Sequence, residues 1–150
     1  MSHSRPTIVR GGRIDCRNKD GGRSYLQVKG LLHYVTFGRR LDQPPGVTRQ
    51  RGVWLDYNAQ EHSHAEVLRW ARAKVHRFDH QVSYQLLLSA RSGRLEAGDF
   101  VAALRQGSPV SDVYDWRFMV HNDTANQHAH VVLFRHAALT RPQYRRWQQT

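Results

Sequence analysis

Phe118-Met119-Val120-His121-Asn122-Asp123-Thr124-Ala125-Asn126-Gln127-His128-Ala129-His130-Val131-Val132-Leu133 is the stretch whose reading decides the fold. Residues i and i+2 of a strand share a face, so His128 and His130 point the same way on a strand that continues through Val131 to Phe134. His121 closes the preceding apolar run, and Asp123 to Gln127 carry turn-forming residues. The expectation is an antiparallel hairpin, Trp116 to His121 and His128 to Phe134, that gathers three imidazoles on one sheet face. With ten histidines in 150 residues an isolated His-x-His has little weight. The full spacing, H-x-D-x4-H-x-H between two apolar strands, is what points to a metal site, because neutral imidazole is the commonest metal ligand. His121, His128 and His130 are the expected ligands. By ligand type an all-histidine set prefers Mn, Co, Ni or Zn over Mg, although Mg is the more abundant ion in cells, so the expected cofactor is a divalent ion, Mg or Mn first and Zn, Ni or Co as alternatives.

Working outward, the chain reads as strand, helix, strand, helix, strand, helix, strand, strand. Thr7 to Arg10 is a short strand, and Gly11 to Gly22, rich in Gly, Arg and Asp, reads as a loop. Ser24 is placed to cap a helix reaching about Val35, with Leu26, Val28, Leu31, Leu32 and Val35 as apolar candidates for its buried side. Gly38 to Gly52 holds Pro44-Pro45 and the cations Arg39, Arg40, Arg49 and Arg51, which suits an irregular basic loop that a polyanion could order. Gly52 to Tyr57 alternates as a strand. His62 to Phe78 reads as a helix with Val67, Leu68, Ala71 and Val75 inward. Val82 to Ser89 fits a central strand covered on both faces. Glu96 to Gln106 is a short helix stopped by Gly107, and Thr140 to Trp147 begins a further one. The fold class is therefore α+β, a central antiparallel sheet with flanking helices.

Composition bounds the partners. At 150 residues one domain is expected. Lys and Arg number 23 against 12 acidic residues, a formal charge of +11, and all but three of those cations are arginine. Such an excess favours a polyanion, because basic side chains displace counterions from phosphates and arginine contacts phosphate with two donors at once. No run of 18 apolar residues exists, so no membrane insertion is expected. The first six residues lack the apolar core of a secretion signal, and a single Cys16 excludes an internal disulfide, which together suit a cytoplasmic protein.

Val120-His121-Asn122-Asp123-Thr124 followed by His128-Ala129-His130 resembles the third motif of plasmid relaxases, the HUH endonucleases that nick DNA at a transfer origin. The resemblance is to the class containing broad-host-range plasmid relaxases and the T-DNA border endonuclease. Phe134 stands where that motif often has Asn. The family's first motif, a tyrosine late in an apolar helix followed by an aliphatic residue and Thr or Ser, is matched by Leu31-Leu32-His33-Tyr34-Val35-Thr36. Its second motif, a strand ending in Ser before a Gly-containing turn and an acidic helix, is matched in outline by Tyr84-Gln85-Leu86-Leu87-Leu88-Ser89, Gly93 and Glu96 to Gln106. The three follow in the family's order from about residue 25 to 135.

The resemblance implies an HUH relaxase domain over residues 1–150, an N-terminal part of a longer protein. It implies reversible nicking of single-stranded or locally melted DNA, with accessory relaxosome proteins as further partners. Tyr34 would be the nucleophile, leaving a 5′-phosphotyrosine and a free 3′-hydroxyl. Asp123 would orient a ligand imidazole or help to remove the phenol proton, and Ser89 would touch phosphate or the DNA backbone. Arg39, Arg40, Arg49 and Arg51 are the expected backbone contacts. Tyr25 is the rival nucleophile, but about two and a half helical turns separate it from Tyr34, so one phosphate cannot serve both. His33, a second rival, faces another way than its neighbour. His62, His64, His76 and His80 read as surface or boundary residues. Two other readings stay open: a replication or transposition enzyme of the same superfamily, and a non-catalytic DNA-binding module on the same fold.

Overall fold

A computed structural model of the protein describes residues 6–38, 50–90, 94–107, 115–122 and 126–148. In chain order its elements are β1 (Thr7–Asp15), α1 (Leu26–Phe37), β2 (Trp54–Leu55), β3 (Glu61–His62), α2 (His64–His76), β4 (Val82–Ser89), α3 (Ala97–Gly107), β5 (Arg117–His121), β6 (His128–Arg135) and α4 (Arg141–Gln148). The strands form one antiparallel sheet in the order β1-β4-β6-β5-β2-β3, so the class is α+β as expected. Among the described residues no helix is long and apolar enough to cross a membrane.

The two-residue period of the strands divides the core between two faces. Val82, Tyr84, Leu86 and Leu88 of β4, Phe118 of β5 and Ala129, Val131 and Leu133 of β6 meet Phe100 and Leu104 of α3. On the opposite face Met119, Val132 and Phe134 join Trp54 and the inner sides of α1 (Val28, Leu32, Val35) and α2 (Val67, Ala71, Val75). β6 is thus covered on both sides, which is why its sequence is so apolar; β4 turns Ser83, Gln85, Leu87 and Ser89 to the second face, where Gln85 and Leu87 line a cleft, so the double cover expected of it is only partial. Phe118 is fully buried, with its ring 6.5 Å from that of Phe100. Phe118→Ala is expected to cost about 3–5 kcal/mol by leaving a cavity between sheet and α3. Urea unfolding checks this as a lowered midpoint at unchanged slope.

Several boundaries differ from the sequence reading, and the strand read as Gly52 to Tyr57 shrinks to Trp54–Leu55. β1 does not stop at Arg10 but runs through Gly11 and Gly12 to Asp15, paired along its length with β4. Backbone hydrogen bonds define that edge strand, and glycine's missing side chain hides it from any pattern of side chains. α1 begins at Leu26 behind Tyr25, without the side-chain cap expected of Ser24, and Leu26 is exposed rather than inward. α1 ends on Gly38, whose left-handed φ of 71° lets its N–H reach the Tyr34 carbonyl. α2 starts only at His64, because Ser63 caps it: the Ser63 hydroxyl accepts from the Glu66 N–H and the Glu66 carboxylate accepts from the Ser63 N–H. His62 falls instead on β3, where its Nε2 lies 2.8 Å from Asp56 Oδ2. Burial works to raise the Asp56 pKa, yet hydrogen bonds from the His62 ring and from the Gln60 and Asn58 amides hold it below the usual range.

Candidate metal centre and adjoining cleft

Strand register assembles the histidines. His121 of β5 stands opposite His128 of β6, and His130 stands opposite Met119, so all three point to the face covered by α1 and α2. Their ring nitrogens can be chosen so that all lie within 4.8 Å of one another, close enough to hold one metal ion. His121 is fully buried and the other two are half-buried.

The backbone fixes which nitrogens converge. His121 Nε2 lies 2.9 Å from the Val35 carbonyl of α1, and His128 Nδ1 lies 3.1 Å from the Asn126 carbonyl. A carbonyl can only accept, so each of those nitrogens carries the proton. In the neutral rings the remaining nitrogens, His121 Nδ1 and His128 Nε2, are then both acceptors, 3.3 Å apart. Two lone pairs aimed at one another ask for a cation between them, and a carbonyl behind the ring is the usual way a ligand histidine is oriented. His130 is held neutral. Burial, then the neighbouring His121 and His128, then Arg51 and Arg10 push its pKa down to about 3. The donor set therefore fits a divalent ion.

A cleft of about 270 Å³ opens beside the triad. His130 lines it together with Tyr34 of α1, Arg10 to Gly12 of β1 and Gln85 to Leu87 of β4. Tyr34 is 52% exposed, so its phenol is open to solvent and not part of the core. Tyr25 caps the far end of α1 and packs edge-on against His76, while His33 lies tilted against Phe37 and edge-on to His64. Of the three candidate nucleophiles, only Tyr34 lines the cleft with His130.

The end of α1 that carries Tyr34 and the Val35 carbonyl is tied down by Thr36. The buried Thr36 hydroxyl donates to the Leu32 carbonyl at 2.7 Å, so it can only accept from its other neighbours. It accepts from Trp54 Nε1 at 2.9 Å and from His64 Nδ1 at 2.9 Å, which places the His64 proton on Nδ1. Burial, reinforced by the charge of His33, lowers the His64 pKa and keeps that ring neutral. His64, half-buried at the boundary, is thus also part of this anchor. Thr36→Val keeps the shape and removes the acceptor, stranding the Trp54 indole N–H. The expected loss is about 1–3 kcal/mol in denaturant unfolding.

Ser89 lies opposite His128 on the neighbouring strand, which puts it in the row Ser89–His128–His121 across three strands. Arg51 is near enough to disfavour charge on His130, and its N–H donates to the Thr36 carbonyl at 2.7 Å. Asp123, Arg39, Arg40 and Arg49 lie outside the described residues. Phe134, in place of the motif's Asn, packs against the rings of Trp70 and His80. Two supports were missed in the sequence. The Val35 carbonyl has no side-chain signal at all. Gln127, taken as a turn residue, is buried and bonds through its amide to Leu95 on both backbone sides and to Asn122, bracing the turn before His128. Comparison of the chain with protein-family models, with curated proteins and with solved structures found no match in any of the three.

Proposed function

We propose that the protein is an HUH-type relaxase domain that nicks and rejoins one strand of DNA at a transfer origin. The observation that carries the reading is the shared cleft: Tyr34, the tyrosine of the first motif, and His130, the last histidine of the third, line the same cavity although 96 positions separate them in sequence. The tautomers of His121 and His128 add support, because they leave converging acceptors for an ion. A divalent ion held by the three histidines would act as a Lewis acid on the scissile phosphate.

In this reading the Tyr34 phenol oxygen forms a bond to phosphorus, the bond from phosphorus to the 3′-oxygen breaks, and that oxygen leaves with a proton as a hydroxyl. The 5′ end stays on Tyr34 as a phosphodiester, so the ester energy is retained and the 3′-hydroxyl can reverse the step. Asp123 is the candidate for taking the phenol proton or for steadying a ligand ring, and Ser89 for contact with the DNA backbone. The test is a supercoiled plasmid bearing the candidate origin, incubated with and without Mn²⁺ or Mg²⁺. Nicked circles that carry covalently attached protein are expected only with metal. Nicks without attached protein, or intact plasmid under every condition, would reject the reading.

A further inference from the structure

A second cavity, of about 440 Å³, lies on the other face of the sheet between β1 and α4. Its lining includes Arg13, Arg141 and Arg145 and, among the described residues, no carboxylate. All three arginines are exposed. Arg13 shares its charge with Asp15 at 2.8 Å, so Arg141 and Arg145 supply most of the field. The two cavities are not independent. Gly11 and Gly12 line both of them, and β1 is the edge strand of the sheet. The rim between the cavities is open backbone at Gly12, while the Tyr144 phenol of α4 packs against Gly11, with Arg10 on the cleft side and Arg13 on the other.

We propose that the β1 edge at Gly12 is a saddle over which single-stranded DNA crosses the sheet, its phosphates held by Arg141 and Arg145 on one face before the strand enters the Tyr34 cleft on the other. The proposal rests on the nicking reading for the identity of the strand. Two observations carry it. Open backbone at Gly12 flanked by cations lets a phosphodiester chain approach closely, and guanidinium groups suit phosphate oxygens. A single small anion would need only one cavity. A chain uses both.

The path is tested by binding, without metal and in EDTA, so that no cleavage intervenes. Fluorescence anisotropy compares oligodeoxynucleotides of about 6 and about 20 residues, bracketing common single-strand site sizes. The wild type is expected to bind the longer one more tightly. The double variant Arg141→Ala/Arg145→Ala, both exposed, should lose that advantage. Its log affinity against log salt for the longer strand should be shallower by about 1.4, at roughly 0.7 per phosphate. Gly12→Val is the second variant. A Cβ there meets only Gln85 Oε1 at 3.4 Å, the end of a flexible side chain, and a β-branched residue suits a strand, so the fold is kept while the saddle is blocked. It should bring affinity for the longer strand down to that for the shorter. Wild-type affinity and slope in both variants would overturn the path while leaving nicking at Tyr34 intact. Loss of the length advantage in a protein that forms no tyrosyl adduct would support the path and reject the enzyme. No binding by the wild type would overturn both.

Discussion

Tyr34→Phe is expected to abolish nicking and the covalent adduct, on the order of 10⁴-fold or more, the scale on which removing a nucleophile operates. Only the phenol oxygen is lost. Tyr34 is half-exposed at the mouth of the cleft, so the phenylalanine variant should fold, bind metal and bind DNA as the wild type does. A denaturing gel of labelled DNA, read for protein-linked product, gives the answer. If Tyr34→Phe still forms the adduct and Tyr25→Phe does not, the nucleophile is misassigned, and the position of Tyr25 against His76 would need another explanation.

The contrast between these tyrosines shows what the sequence could and could not tell. Helical spacing already separated them, but only the packing of α1 against β5 and β6 decided which shares a cleft with His130. The hairpin of β5 and β6 was legible because the i, i+2 spacing of His128 and His130, the flanking apolar runs and the turn residues agree, and β4 because its apolar run fits a central strand. β1 beyond Arg10 was not, since its pairing through Gly11 and Gly12 is a matter of backbone alone. β3 escaped for a related reason: Glu61 and His62 are polar, and what holds them is pairing to β2 and the Asp56 side chain. The three clustered histidines could be named from spacing. Their tautomers could not, because the Val35 carbonyl that sets one of them comes from a helix 86 positions away.

The double variant His128→Ala/His130→Ala should lose metal binding and nicking together. Removing two of three ligands is expected to cost more than the 10–100-fold that accompanies the loss of a group merely supporting a ligand. Titration calorimetry with Mn²⁺ reads the affinity directly, and equal values for wild type and variant would remove the metal from this site. Both rings are half-buried, and His128 is next to the turn, so the sheet should survive the change. DNA binding at the Arg141 and Arg145 face should persist, which separates loss of the ion from loss of the fold.

β6, late in the chain, is a central strand of the sheet, between β4 and β5. During synthesis the ribosome must therefore deliver nearly all of these elements before the seam of the sheet can close. A nascent chain stopped ahead of His128 has β1 with β4 and β5 with β2 and β3, but nothing to join the two parts. Such non-local pairing favours slow folding, because loop closure precedes the contacts that reward it. It also means that Tyr34 on α1, made early, shares no cleft with His130 until translation has reached β6, so under the proposed function a half-made chain would have no means of cutting DNA.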